Sequence, residues 1–333
     1  MTNYRNVKYK IPTLNLDGTT EASPSEGEIW YDSGKFYLGT SQALIGVWSS
    51  GGNLATARAG FAGAGTQSAG LCFGGDTDLA DSNTNVTEEY NGTAWSSGGN
   101  LGEARRQNAG CGTQTAGLTM GGTTTSAYST STEEYDGSSW SGGGSLSTGR
   151  WGLGGAGIQT AGLCFGGTTG SNSVVTEEYD GSSWSGGGNL ATAARGVAGA
   201  GTQTAGLKMG GHISAPTNVT EEYDGSAWSA GGNLGTARQY FGGCGTQTAA
   251  LAIGADQGDH VGTQSKASCE TYDGTSWSAG GSLIVGRSLG ASAGTQGAGL
   301  YAGGSTGSVS NVTGEYDPGP GTYDKLFSVV GDL

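Results

Sequence analysis

The chain has 333 residues and 70 of them are glycine, roughly three times the usual share, yet its aromatic content is unlike that of disordered chains. Its net charge of −14, with only 14 lysines and arginines, argues against nucleic-acid binding, which calls for a basic patch, and against binding to anionic membranes. No apolar run approaches the roughly 20 residues of a membrane helix, and residues 1–5 lack the apolar segment of a secretory signal.

Residues 1–45 differ in pattern from everything that follows them. Residues 28–38 hold two apolar runs around a Ser-Gly pair, which predicts a β-hairpin. Because this segment matches nothing in the rest of the chain, we interpret residues 1–45 as a separate attachment element and residues 46–333 as the main domain.

A unit of about 45 residues fills the main domain, with six copies near 58–95, 105–140, 150–184, 195–228, 238–277 and 287–317. The tyrosine of a Thr-Glu-Glu-Tyr motif recurs at steps of 45, 44, 44, 49 and 44 residues: Tyr90, Tyr135, Tyr179, Tyr223, Tyr272 and Tyr316. An arginine opens each copy: Arg58, Arg105, Arg150, Arg195, Arg238 and Arg287. A tryptophan ends five copies and also precedes the first: Trp48, Trp95, Trp140, Trp184, Trp228 and Trp277.

Each unit divides into four short strands without helical periodicity. The first strand is rich in Gly and Ala, the second ends at a Gly pair, and Asp-Gly separates the third strand from the fourth, as in tight hairpins. Four strands in each repeat of this length predict an all-β fold, a β-propeller with six four-stranded blades. We interpret the repeated Arg, Tyr and Trp as structural, and expect Arg–Glu contacts to hold one blade against the next.

Two segments of the sequence could supply the strand that closes the ring. The sixth unit lacks its tryptophan, and residues 46–53, which contain Trp48, read as a fourth strand placed before the first unit. They would complete the sixth blade and join the two ends of the ring. If residues 322–333 supply that strand instead, a seventh blade becomes available to the N-terminal strands. We favour six blades.

The repeat resembles the kelch repeat, with its Arg, its Gly pair and its Tyr-Asp followed by Trp. The repeat is also similar to that of kelch-type virion proteins of marine tailed phages. The motifs that carry this similarity are Gly-Thr-Gln-Thr-Ala-Gly-Leu and Thr-Glu-Glu-Tyr-Asp-Gly, preceded by a Gly-Glu-Ile-Trp-Tyr hairpin. The resemblance implies a tail fibre or decoration protein on the virion, made in the host cytoplasm without a signal peptide. It also implies docking to other virion proteins through residues 1–45, and a homo-oligomer, a trimer.

The sequence indicates no catalytic residues, no metal site and no cofactor. The five cysteines lack metal-ligand spacing and are interpreted as small buried residues. Inserts in a repeat protein gather on one face, often the binding face. The candidate binding residues in these inserts are Asp76, Asp78, Asp81, Tyr128, His212, Asp256, Asp259 and His260.

Three functions remain open at this stage. The first is a non-enzymatic phage virion protein that recognises a glycan or protein on the host surface, without contact to nucleic acid or insertion into membrane. The second is a decoration protein of the capsid or tail that contacts only virion proteins. The third is a propeller hydrolase or lyase acting on glycans.

Overall fold

The computed structural model describes residues 29–32, 35–38, 41–43, 46–256, 265–318, 322–324 and 327–329, and all regular secondary structure in these ranges is β-strand. The chain divides into two compact units. One is Gly46–Pro318, and the other combines Met1–Ile45 with Gly319–Leu333.

The strands are numbered in chain order. Those before the first repeat are β1 (Ile29–Asp32), β2 (Lys35–Leu38), β3 (Ser41–Ala43) and β4 (Val47–Ser50). The first two blades contain β5 (Ala62–Thr66), β6 (Ala69–Phe73), β7 (Thr87–Tyr90), β8 (Trp95–Ser97), β9 (Ala109–Gly112), β10 (Gly117–Met120), β11 (Thr132–Tyr135) and β12 (Trp140–Gly142). The next two contain β13 (Trp151–Ile158), β14 (Ala161–Thr168), β15 (Thr176–Tyr179), β16 (Trp184–Gly186), β17 (Ala198–Gly201), β18 (Gly206–Met209), β19 (Thr220–Tyr223) and β20 (Trp228–Ala230). The remaining strands are β21 (Gly242–Thr246), β22 (Ala249–Asp256), β23 (Ser265–Tyr272), β24 (Trp277–Ala279), β25 (Ala291–Thr295), β26 (Ala298–Ala302), β27 (Thr313–Asp317), β28 (Thr322–Asp324) and β29 (Phe327–Val329).

Gly46–Pro318 forms a propeller of six four-stranded antiparallel blades, which confirms the predicted fold. In the fourth blade, Tyr223 of β19 pairs with Trp228 of β20, and their ring centroids lie 4.9 Å apart. The turn between them spans four residues rather than the two of a tight hairpin. The Asp224 carboxylate accepts the backbone N–H groups of Ser226 and Ala227, each at 2.8 Å.

The strand around Trp48 closes the ring. β4 pairs with β27 as the outermost strand of the sixth blade, with Trp48 opposite Tyr316. The strands of residues 322–329 pair elsewhere, β28 with β3 and β29 with β2. Residues 319–333 were expected to belong to the propeller, with residues 322–333 as the alternative closing strand. The structure groups them with residues 1–45 instead, because β4 occupies the outer edge of the sixth blade. The hairpin predicted over residues 28–38 corresponds to β1 and β2, which pair antiparallel.

The innermost strands surround a narrow central channel of about 200 Å³. They carry Gly and Ala because neighbouring blades approach too closely for side chains. A Cβ atom on Gly199 would lie 2.3 Å from the carbonyl oxygen of Gly155 in the preceding blade. The apolar core therefore lies between blades, where a second-strand leucine packs on a glycine of the next blade, as Leu163 does on Gly206. These leucines are fully or almost fully buried.

One mouth of the channel is bordered by a closed circle of six backbone hydrogen bonds. Each blade contributes one left-handed residue, whose N–H donates to the carbonyl of its counterpart in the preceding blade at 2.5–2.9 Å. The six residues are Gly60, Gln107, Gly152, Gly196, Tyr240 and Leu289. Such φ values are uncommon for residues other than glycine, so the three larger residues indicate that the circle, rather than local preference, determines the backbone here.

The repeated arginines act within a blade, not between blades, so the expected role of the Arg–Glu contacts is wrong. Arg150 is fully buried and lies 2.6 Å from Glu177 of its own unit. It also donates to the carbonyls of Gly166 and Val175, at 2.9 and 2.7 Å. The same pairing joins Arg58 to Glu88, Arg105 to Glu133, and Arg238 to Glu270. In the sixth unit Gly314 replaces the glutamate, and Arg287 lies over the Tyr301 ring at 5.3 Å.

Arg195 does not belong to this set, because the equivalent position in the fourth unit is Ala194. Lys208, on the neighbouring strand β18, fills the vacated site instead. Its ammonium group lies 3.6 Å from Glu221 and donates to the Val219 carbonyl at 3.3 Å. Burial lowers the pKa of Lys208, and the adjacent carboxylate of Glu221 acts in the opposite direction.

Three kinds of side-chain hydrogen bond link neighbouring blades, and two of them, from a tyrosine to a glutamate and from a tryptophan to a threonine, occur at five of the six junctions. The Tyr179 hydroxyl donates to Glu134 at 2.6 Å, and the Trp184 indole N–H donates to the Thr132 hydroxyl at 2.9 Å. A glutamine in the turn between the first and second strands donates to two carbonyls. This glutamine bond occurs at all six junctions, at Gln67, Gln114, Gln159, Gln203, Gln247 and Gln296.

Gln159→Glu is expected to lower the free energy of unfolding by about 1–3 kcal/mol. The Gln159 amide donates to the carbonyls of Gly117 and Tyr135 at 3.1 and 2.8 Å, whereas an ionised carboxylate can only accept hydrogen bonds. Urea unfolding at pH 7 measures the change. Thr160→Ala, at the exposed next position, is the control and should leave stability within about 0.5 kcal/mol. Equal stability of the two variants would contradict the role of the glutamine.

Stability is expected to fall as the pH rises above about 9. Burial, followed by the hydrogen bond to Glu89, raises the pKa of Tyr135 to about 12, against about 10 in an unfolded chain. The same applies to Tyr90, Tyr179, Tyr223 and Tyr272, and burial raises the pKa of Cys164 to about 12. Because the folded state holds these protons longer, the contribution is complete below the unfolded pKa values and is lost as pH approaches the folded ones.

Urea unfolding at intervals from pH 7 to 11 tests this expectation. The free energy of unfolding should decline steadily over the alkaline half of the range. Tyr135→Phe should show a shallower decline, because it removes one of the titrating hydroxyls. A stability that is constant between pH 8 and 11 would show that these groups do not control alkaline unfolding.

Candidate functional site

The two faces of the propeller differ in what they carry. The connections between second and third strands lie on one face, which we call the loop face, together with the circle of backbone hydrogen bonds. The Thr-Gln turns and the Asp-Gly turns lie on the opposite face, which we call the turn face. β4 begins at Val47, which pairs with Asp317 at the end of β27. The chain therefore enters and leaves the propeller at the turn face.

The candidate aspartates of the first unit organise their own loop. Asp76 is 4% exposed, and its carboxylate accepts the N–H groups of Asp78, Leu79 and Asp81 at 3.0–3.2 Å. Asp78 in turn accepts the Ser82 hydroxyl, and this bond lowers the pKa of Asp78. Asp76 and Asp78 thus shape the connection, while Asp81 remains 67% exposed in its side chain.

Arg106, which the sequence analysis did not single out, ties this loop to the second blade. Its guanidinium contacts the carboxylates of both Asp76 and Asp81 and donates to the Asn83 side chain at 3.2 Å. The signal in the sequence is the Arg-Arg pair, of which the repeat uses only the first member. Arg106 holds the longest described connection of the loop face against its neighbour.

A second group of side chains lies across the second, third and fourth blades. The ring centroids of Tyr128 and Trp151 are 6.4 Å apart with a tilt of 49°, and the guanidinium carbon of Arg195 lies 6.0 Å from the Trp151 ring centre. Arg195 donates to Asn172 at 3.1 Å. Asn172 donates to the backbone carbonyl of His212 at 2.8 Å. The structure thus brings the candidates Tyr128 and His212 into one neighbourhood, with three residues that the sequence analysis had not assigned to a site.

In the sequence, Trp151 could have been recognised as a candidate because it lies outside the fourth-strand motif that contains the blade tryptophans. It and Trp30 are the only tryptophans outside the fourth-strand motif, and Trp151 occupies the place that Ala59 holds in the first unit. The other candidates that the structure describes do not join this group. Asp76, Asp78 and Asp81 belong to the first unit, Asp256 ends β22 in the fifth blade, and Asp259 and His260 lie outside the described residues.

All five cysteines are buried and free. Across the described ranges, no three His, Cys, Asp or Glu side chains come together in a group that could hold a metal ion. The same ranges contain no helix that is long and apolar enough to cross a membrane. No protein-family model matches the chain, and no curated protein matches it in sequence.

Proposed function

We propose that the chain is a non-enzymatic virion protein of a tailed phage, whose propeller presents its loop face to the host cell surface. The observation that carries this proposal is the separation of the two faces. The connections that vary in length and sequence gather on the loop face, whereas both chain connections of the propeller leave from the turn face. A binding surface opposite the point of attachment suits a protein fixed to a particle.

The sequence resemblance to kelch-type phage proteins supports the virion assignment. Residues 1–45 would then dock to other virion proteins, in a tail fibre or on the capsid, and the protein would assemble as a trimer. The acidic surface favours neither nucleic acid nor anionic membranes as a partner. A glycan or protein of the host surface is the partner that remains.

Binding of the purified protein to host cells tests the proposal. In one variant, residues 123–128 of the second connection, which include Tyr128, are replaced by Thr-Thr-Gly-Ser-Asn, the equivalent residues 168–172 of the third unit. The matched control replaces the turn-face residues 91–94 by Asp-Gly-Ser-Ser, taken from residues 180–183. Both grafts use sequences that the chain already folds at the equivalent position.

We expect the wild-type protein and the turn-face control to bind cells, and the loop-face graft to bind more weakly. Absence of binding by the wild-type protein would contradict the recognition role and favour a decoration protein that contacts only virion components. Release of soluble sugar from host polysaccharide would contradict the non-enzymatic assignment.

A further inference from the structure

One position on the loop face differs between blades in size, polarity and charge. It directly precedes each left-handed residue at the channel mouth, and in five blades its backbone pairs with the residue that follows the Gly pair, as Arg195 does with His212. The six residues at this position are Ala59, Arg106, Trp151, Arg195, Gln239 and Ser288. Because Ala59 is sufficient in the first blade, the ring does not need an indole at Trp151.

Aromatic, charged and amide side chains lie in a row around Trp151, formed by Tyr128, Trp151, Arg195 and Asn172. Tyr128, which is 43% exposed, flanks the indole at 6.4 Å between ring centroids, and the two rings are tilted by 49°. Arg195 lies over the indole at 6.0 Å, and its hydrogen bond to Asn172 fixes its position. Asn172 is itself held by the backbone carbonyls of His212 and Ile213, at 2.8 and 3.0 Å. The row is therefore anchored to three consecutive blades before any ligand arrives.

We propose that Tyr128, Trp151 and Arg195 form a saccharide-binding site, an inference that rests on the recognition role proposed for the loop face. Aromatic rings carry negative charge density on their faces, onto which the weakly positive C–H groups of a pyranose ring pack. The phenolic hydroxyl of Tyr128 and the guanidinium of Arg195 supply the polar groups that sugar hydroxyls require. A few aromatic side chains with a small number of placed polar groups are the usual composition of a small-ligand site.

The size of the row also favours a saccharide over a protein. A stable protein interface buries about 800 Å² on each partner around an apolar centre, whereas this row offers two aromatic side chains flanked by charged and amide groups. One or two sugar residues match that extent. We therefore commit to a glycan of the host surface as the occupant.

The test uses the full-length protein and oligosaccharides prepared from host surface polysaccharide, in neutral and uronic-acid-containing fractions, with affinity measured by calorimetry. Trp151→Ala reproduces the Ala59 environment of the first blade, so the fold should persist, and affinity should fall at least about tenfold. Tyr128→Ala should also weaken binding, and Tyr128→Phe should retain more affinity than Tyr128→Ala because it keeps the ring. Ile284→Ala, which trims a 66% exposed side chain between the fifth and sixth blades, is the control and should bind normally.

Undiminished oligosaccharide affinity in both Trp151→Ala and Tyr128→Ala would overturn the site. Cell binding that survives periodate oxidation of surface sugars but is lost after protease treatment would identify a protein partner. That result would overturn the saccharide site while leaving the recognition role intact. If the wild-type protein binds the oligosaccharides but does not bind cells, the result would support the saccharide-binding site and contradict the proposed role in host recognition.

Discussion

Trp48→Ala is expected to lower the free energy of unfolding by about 3–5 kcal/mol, the cost of removing a large buried aromatic side chain. Trp48 is 7% exposed, its ring centroid lies 5.3 Å from that of Tyr316, and its indole N–H donates to the Gly281 carbonyl at 3.0 Å. The other five blade tryptophans are only partly buried. Trp48 is also the one buried residue of β4, the strand that closes the ring.

Urea unfolding of the full chain measures this effect. Val47→Ala is the matched control, because Val47 precedes Trp48 on the same strand yet is 61% exposed. The control should change stability by no more than about 0.5 kcal/mol. Similar losses in the two variants would show that the strand, rather than the indole, determines the stability of the closure.

Arg150→Ala is expected to destabilise the protein by about 3–5 kcal/mol, because it leaves a buried carboxylate without its counter-charge. Glu177 is 3% exposed and lies 2.6 Å from the guanidinium that the substitution removes. The carbonyls of Gly166 and Val175 lose their donor at the same time. The measurement is again urea unfolding at pH 7.

The fourth blade suggests a second substitution that should restore the stability lost in Arg150→Ala. There Ala194 stands in the arginine position and Lys208 provides the cation from the adjacent strand. The residue equivalent to Lys208 in the third blade is Cys164, so Arg150→Ala combined with Cys164→Lys reproduces the fourth-blade arrangement. The double variant should recover at least half of the lost stability. Cys164→Lys alone should destabilise, because it buries two cations in one site, and simple additivity of the two single effects would contradict this reading.

The sequence predicts the blades well because each repeat unit contains the strand and turn pattern of one blade. The Tyr and Trp spacing and the Asp-Gly turn follow from strand pairing within one unit, as between Tyr223 and Trp228. The glutamine contacts were missed because the two carbonyls that Gln159 reaches, at Gly117 and Tyr135, belong to the preceding blade. In the sequence, Gln159 is only a polar residue in a turn.

Errors in the repeat alignment had a physical origin as well. Arg195 aligns with the arginine that opens the other copies because the fourth copy contains no other arginine, and only the packing shows that Lys208 takes the place of that arginine. The position of the aspartates in inserts predicts a binding role, yet the Asp76 carboxylate accepts hydrogen bonds from backbone N–H groups of its own loop. Trp151 departs most clearly from the repeat pattern, but the sequence does not show which residues surround it. Tyr128 and Arg195 lie beside it only when three blades pack together.

The glutamine contact that recurs at all six junctions has a consequence for how such a chain can change over generations. Each junction uses a glutamine donor and the two equivalent carbonyls, so recombination between neighbouring repeats that gains or loses a whole unit would keep the glutamine contact at each junction. The number of blades is then limited chiefly by the crowding of Gly and Ala around the axis, where Gly199 leaves no room for a methyl group. Side chains on the loop face can be exchanged between units by the same event, which allows a new binding surface to arise on an unchanged frame.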